Sequence, residues 1–215
     1  MNTTELLSVF NSEMGGIAQQ LVSDTEKFRY MDEAYRRFVR LTGGISDATS
    51  EAAEVDITVG EAEVELHPSI LQILRATRAS DGARVEVINY TDLDRLNLKI
   101  GEAGAVRYLM IGSQPHTGTW LGTPTRADTV QLLILRLPLK HLTGAGQRLS
   151  EIDEEHHLAL LDWMKALAYK RPGAEYFNPS LSAAFAASFK DYCAQVKAEI
   201  ATTKHKVRNV VYGGY

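Results

Sequence analysis

The chain has 215 residues, of which 45% are hydrophobic and 23% charged, with a net charge of −4. This composition is typical of a globular protein with a real core, and the acidic balance excludes a nucleic-acid footprint over the whole surface. The single cysteine, Cys193, excludes an intrachain disulfide framework and is interpreted as a small packed thiol.

The first 45 residues have helical spacing and no basic, continuously apolar start. We therefore expect no signal peptide and no membrane span, and folding in the cytoplasm. A short helix is predicted over 4–11. A second helix is predicted over 23–42, because Ser23 and Glu26 form a capping-box pair before a regular apolar stripe. Gly43 and Gly44 are expected to end it in the left-handed conformation.

From Glu54 the pattern becomes strand-like. EVDITV and AEVEL alternate apolar with acidic residues, and Ser80-Asp81-Gly82 is typical of a hairpin turn. Two further strands are predicted over 106–112 and 129–138. The spacing favours an antiparallel sheet or a small sandwich. The polar loop 113–128 between the last two strands has no pattern that indicates a role.

After Leu139 the helical period returns. Ser150 as N-cap predicts a helix over 151–170 with a buried stripe that begins at Leu158, and Asn178-Pro179 starts another over 179–202. The predicted fold is α+β: a mainly α-helical bundle with an inserted antiparallel β domain and an extended C-terminal tail. The bundle comprises 1–53 and 139–202, the β domain 54–138 and the interaction tail 203–215.

Histidines are the candidates for catalysis or metal binding. Asp153 and His157 would share a helical face beside His156, but H-E-x-x-H is absent and no third ligand is indicated. His116 would need a nucleophile, yet no G-x-S-x-G elbow or nucleotide-binding glycine motif is present. We predict no enzyme, no cofactor and no metal. A small hydrolase or metal-dependent enzyme using His116, His156 and His157 is the alternative from another class.

The C-terminal tail has a basic cluster and then an apolar, aromatic, β-prone end. The basic cluster also suits a solvated helix end, and the rest could dock back on its own domain. A β-prone segment left exposed calls for a pairing partner, and strand addition to a neighbour is the natural use. We predict partner contacts by Val207, Val210, Val211, Tyr212 and Tyr215, with charge support from Lys204, Lys206 and Arg208.

Three segments resemble the head-to-tail connector (adaptor) proteins of tailed bacteriophages. FRYMDEAYRRFVRLTGGI (28–45) resembles the aromatic-rich second helix of that family. ELHPSILQILRATRASDGARVEVINYTDLDRL (65–96) resembles its hairpin and following turn. LSEIDEEHHLALLDWMKALAYKRPGAEYFNPSLSAAFAASFKDYCAQVKAEI (149–200) resembles its final helix pair. The loop 113–128 lies outside these matches.

The resemblance implies a non-enzymatic virion protein that forms a ring, commonly a dodecamer, between portal and tail. Each subunit would meet the next through two different faces, and the partners would be the portal and tail or nozzle proteins. The genome would pass through the channel without sequence-specific binding, since an acidic lining does not hold DNA. The protein would reside in the neck or tail of the virion after assembly in the host cytoplasm. Another neck or tail-completion protein is the alternative.

Overall fold

The computed structural model describes residues 1–16, 22–93, 102–104, 106–171 and 176–205. The chain divides into two compact units. The helical unit comprises Met1–Gly43 and Pro138–Tyr215, and the strand unit comprises Gly44–Leu137. The strand unit is thus placed between two segments of the helical unit along the chain.

The helical unit holds four α-helices within its described residues. They are α1 (Thr3–Met14), α2 (Asp24–Thr42), α3 (Leu160–Tyr169) and α4 (Pro179–His205). Their apolar faces form a core whose largest fully buried side chains are Leu6, Phe10, Met31, Tyr35, Leu149, Leu160, Met164 and Phe189. This core is aromatic and leucine-rich, as expected for helices that bury one face each.

The predicted second helix is confirmed at both ends. Ser23 accepts a hydrogen bond from the Glu26 backbone, and the Glu26 carboxylate accepts one from the Ser23 backbone, so the capping box is complete. Gly43 follows with φ of 108°, and its N–H donates to the Val39 carbonyl. The first helix is longer than predicted, since α1 begins at Thr3 and continues to Met14.

The predicted start of α3 is wrong. Residues Glu154–His156 form a 3-10 turn, and the α-helix begins only at Leu160. A helix from 151 would pair the Ile152 carbonyl with the His156 N–H. Instead the Ile152 carbonyl oxygen lies 3.3 Å from His157 Nε2, and the His156 N–H donates to the Asp153 carbonyl at 3.0 Å. The α4 prediction is confirmed at its start, where Asn178 accepts a side-chain hydrogen bond from Leu181 N–H at 3.1 Å.

The strand unit holds ten strands within its described residues. Those of the larger sheet are β1 (Ile45–Asp47), β2 (Glu54–Ile57), β3 (Glu63–Glu65), β4 (Ile70–Arg78), β5 (Arg84–Asn89), β7 (Tyr108–Gln114), β8 (Thr117–Trp120) and β10 (Asp128–Arg136). A separate ribbon pairs β6 (Glu102–Gly104) with β9 (Gly122–Pro124) in parallel. Two 3-10 turns, Glu51–Ala53 and Tyr90–Asp92, complete the unit.

The larger sheet runs in the order β1, β10, β4, β5, β7, β8 and β3, and β2 also pairs with β10. β10 lies between β4 on one edge and the successive strands β1 and β2 on the other. Its alternate residues Val130, Leu132, Ile134 and Arg136 are buried, which is the period of a strand with one face in a core. β5 and β7 pair in parallel, while the remaining neighbours are antiparallel.

A buried ion pair joins β1 to β10 within this sheet. Arg136 Nε donates to the Asp47 carboxylate, and both residues are less than a tenth exposed. The backbone N–H groups of Thr49 and Ser50 also donate to Asp47, at 2.9 and 3.1 Å. Burial opposes ionisation of Asp47, yet these hydrogen bonds hold its pKa well below the ordinary range.

The predicted fold class is wrong. The molecule is mixed: its described residues hold four α-helices and ten strands, with a curled sheet, and it is not a mainly helical bundle with an inserted antiparallel β domain. Short strands in segments interpreted as loops account for much of the difference, above all β8 and β9 within 113–128. The parallel pairing of β5 with β7 also departs from the predicted antiparallel sheet.

Candidate assembly surfaces

The first two thirds of α4 are anchored on α3. Phe189 and Trp163 lie 5.5 Å apart between ring centroids, and Phe185 stacks on Tyr169 at 5.9 Å. The Ser182 hydroxyl donates to a carbonyl of α3 at 2.7 Å. Phe189, Cys193 and Val196 are buried along this seam. This part of α4 is therefore fixed within the helical unit.

The last part of α4 has no such support. Each residue from 197 to 203 is exposed, including Ile200, although the helix continues to His205. Nine residues of helix are about 13 Å long, at 1.5 Å per residue. Leu181 and Ile200, at the two ends of the predicted apolar seam, are both exposed. The C-terminal end of α4 is therefore a surface that a partner can reach.

The predicted tail contacts fall at or beyond this helix end. Lys204 belongs to α4. The rest lie outside the described residues: Lys206, Val207, Arg208, Val210, Val211, Tyr212 and Tyr215. Their assignment as partner contacts stays a prediction.

Contacts within the protein hold both His156 and His157 in place. His157 is buried, and its Nε2 lies 3.1 Å from the Leu149 carbonyl oxygen. Because a carbonyl only accepts, that nitrogen carries the proton and is not free to bind a metal. Nδ1 of His156 lies 2.9 Å from the Tyr192 hydroxyl, and burial raises the pKa of that hydroxyl. The Tyr192 hydroxyl therefore stays protonated, and it can donate to or accept from the His156 ring.

The predicted pairing of Asp153 with His157 on one helical face does not occur, since neither residue lies in α3. The ligand atoms of Asp153, Glu155 and His156 instead lie within 4.8 Å of one another. Asp153 and Glu155 are exposed, and exposed carboxylates often cluster without a metal. The cluster does not by itself define a metal centre.

His116 lies in a turn of the strand unit, and Cys193 lies in the core of the helical unit. His116 occupies the turn between β7 and β8 with φ of 56°, and its carbonyl accepts from Leu66 N–H at 2.8 Å. Cys193 is buried in α4, and burial raises the pKa of its thiol to about 11. A thiol with that pKa stays protonated at neutral pH and is a poor nucleophile.

A basic, aromatic pocket opens in the helical unit among α2, α3 and the start of α4. Its volume is about 680 Å³, and Trp163 and Phe177 supply its aromatic walls. Arg37, Lys170 and Lys190 line it as well. The Arg37 guanidinium lies 4.0 Å from the centroid of the Trp163 ring, which is a cation–π contact.

Sequence reasoning did not identify this pocket. Trp163, Leu167 and Lys170 recur at steps of four and three in the sequence and so share one face of α3. This spacing in the sequence indicates that the three side chains lie on the same side of the pocket. The contributions of Arg37 from α2 and Lys190 from α4 have no local signature, because packing of separate helices brings them together.

Two exposed leucines distinguish the strand unit. β4 has register shifts against β10 that leave Leu71 and Leu74 without partners in that strand. Both side chains are exposed, at 36% and 45%. Bulges of this kind turn side chains away from the regular face of a sheet. The strand unit therefore also presents an apolar surface.

Exposed apolar side chains in both units, with histidines held by contacts inside the protein, are typical of a protein that contacts other proteins. The chain belongs to the SU10 adaptor protein family, whose model matches residues 1–210. This match confirms the resemblance to phage head–tail adaptors and makes the chain a structural component of a phage particle.

No curated protein matches the chain. Within the described residues, none of the helices has both the length and the apolar character needed to cross a membrane.

Proposed function

We propose that the chain assembles as a homo-oligomeric ring, a dodecamer, between the portal and the tail of the phage particle. The observation that carries this proposal is the family match over residues 1–210. Closed rings of identical subunits join two different faces of each copy, and the helical unit offers distinct surfaces for such contacts. The ring forms in the host cytoplasm and resides in the virion neck or tail.

The genome passes through the central channel of this ring. A net charge of −4 supports the passage, because a net acidic protein does not hold the phosphate backbone tightly. The protein therefore contacts DNA without reading its sequence.

The tail 203–215 contacts a neighbouring protein of the assembly. The exposed residues 197–203 at the end of α4 support this role, because a partner can reach the helix end to which the tail is joined. Val207, Val210, Val211, Tyr212 and Tyr215 supply apolar contact area. Lys204, Lys206 and Arg208 add charge that steers the encounter with an acidic partner.

Truncation after Thr203 tests the tail directly. The truncated chain keeps Phe189, Cys193 and Val196, which pack α4 in the core, so we expect a nearly unchanged circular-dichroism spectrum and melting temperature. Binding to purified portal rings should fall by at least about tenfold, which corresponds to about 1.4 kcal/mol. Serine substitutions at Val210 and Tyr212 in the full chain should weaken binding in the same direction. Unchanged portal affinity of the truncated chain would exclude this role.

A further inference from the structure

Among the residues that the structure describes, the pocket of the helical unit has more positive than negative side chains. Among the described residues, Arg37, Lys170 and Lys190 form no ion pair. Glu33 is the acidic residue of the lining, and it accepts a hydrogen bond from Trp163 Nε1 at 3.2 Å. Three cations beside one engaged carboxylate leave the pocket complementary to an acidic ligand.

A buried donor points to the same conclusion. Arg37 Nε is shielded from solvent and has no hydrogen-bond partner in the described structure. A buried donor without an acceptor is destabilising, so an acceptor supplied by a ligand would be favoured. At the opening, Phe177 is 47% exposed although its ring belongs to the pocket lining. The pocket therefore suits a ligand that brings both an apolar side chain and carboxylates.

The helical unit carries such a ligand on its own surface. Leu158 is 53% exposed, although its spacing predicts a place in the buried stripe of α3. Asp153 and Glu155 are exposed in the turn just before it. We define the acidic knob as Asp153, Glu155 and Leu158. It presents one large apolar side chain close in sequence to two carboxylates.

The acidic knob and the pocket are different surfaces of the same unit. The knob lies before the first residue of α3, and none of its three residues lines the pocket. When the knob of one copy occupies the pocket of a second copy, the first copy still has a free pocket and the second still has a free knob. Such a contact is heterologous, and it gives a closed ring when the rotation from one copy to the next closes.

We propose that the acidic knob of one copy occupies the basic pocket of the next copy in the ring. Leu158 lies against the Trp163 and Phe177 walls, and Asp153 and Glu155 pair with Lys170 and Lys190. This inference rests on the ring proposed above and names its subunit contact.

Charge reversal tests this contact from both sides. The knob variant carries Asp153→Lys and Glu155→Lys, and the pocket variant carries Lys170→Glu and Lys190→Glu. All four side chains are exposed, so both variants should keep the wild-type melting temperature. Each alone should fail to form rings at concentrations where wild type is fully assembled, because like charges then meet at every contact.

Mixing the two variants in equal amounts should restore rings. Every contact in an alternating ring then joins opposite charges, and a dodecamer has the even copy number that alternation needs. Matched controls reverse as many exposed charges in the strand unit: Glu61→Lys with Glu86→Lys, and Arg84→Glu with Arg107→Glu. These controls should assemble as wild type does.

Native mass spectrometry of each sample, alone and with portal, gives the result. Rings from either single variant, or a mixture that stays unassembled, would overturn the knob-in-pocket contact while leaving the proposed ring intact. A wild-type chain that remains monomeric under all these conditions would instead overturn the proposed ring, and the inferred contact with it.

Discussion

Substitution of Asp47 by asparagine should destabilise the strand unit strongly. The change keeps the shape of the side chain but leaves Arg136 buried beside a neutral amide, with both residues less than a tenth exposed. Removal of one partner from a buried ion pair costs about 3–5 kcal/mol. Arg136 also donates to the Leu137 carbonyl at 3.0 Å, so we expect the lower end, about 3 kcal/mol at pH 7.

The stability that Asp47→Asn removes should become smaller as the pH falls. The pKa of Asp47 is lowered in the folded protein, so its carboxylate stabilises the fold above the unfolded pKa of about 3.9. That contribution disappears as the pH falls toward the folded pKa. The difference in stability between wild type and the Asp47→Asn variant should be constant from about pH 5 to 8 and shrink below about pH 4.

Each unit contains one tryptophan, so tryptophan fluorescence can report the unfolding of one unit alone. Trp120 is buried in the strand unit and Trp163 lies in the helical unit. Urea unfolding in a Trp163→Phe background therefore follows the strand unit through Trp120 fluorescence. Asp56→Asn, an exposed substitution in β2, should change stability by less than about 0.5 kcal/mol. A loss below about 1 kcal/mol for Asp47→Asn, or a difference that persists unchanged at pH 3, would refute the reasoning.

Three further substitutions or treatments test the packing. The Cys193 thiol, with a pKa of about 11, should resist maleimide at pH 7.5 in the folded protein and react on denaturation; fast labelling of folded protein would contradict its burial. Gly118→Ala should cost about 1–3 kcal/mol in thermal unfolding, because the added Cβ lies 2.7 Å from Leu109 Cδ1, and a neutral result would show that Leu109 moves aside. Ser182→Ala should cost about 1 kcal/mol in urea unfolding through loss of its bond to the Ala166 carbonyl, whereas unchanged stability would argue that water replaces the hydroxyl.

Local signals in the sequence predict part of the fold well. The ends of α2 follow from Ser23, Glu26 and Gly43, because capping interactions involve residues within one turn of each other. The start of α3 does not, since it depends on the buried His157 ring, whose Nε2 lies within 3.3 Å of the Leu149 and Ile152 carbonyl oxygens. A helix start that depends on how a buried side chain packs carries no local signature.

The sheet shows the same limit. Alternation predicts β10, where Val130, Leu132 and Ile134 are buried in turn. It does not predict β8, because one of the two buried positions of this strand is Gly118, which gives no apolar signal, and the strand is held between β3 and β7. Strand order also depends on the course of the chain after β5, which a residue pattern does not encode.

Of the candidate surfaces, the tail is visible in the sequence and the pocket is not. The tail 203–215 is predicted as a contact surface from its composition, because a basic and aromatic run after a long helix is visible in the sequence, and this role stays a prediction. The pocket was missed, since Arg37, Trp163 and Lys190 come from three helices. The exposure of Leu158 was also missed, because the helix predicted from 151 would have buried it.

The mass of the native chain, alone and mixed with its portal, tests the central claim most directly. One copy has a mass of 23.8 kDa. The proposed function predicts a portal-bound species that gains twelve copies of the chain, detectable by native mass spectrometry. A chain that stays monomeric and leaves the mass of the portal ring unchanged would contradict it.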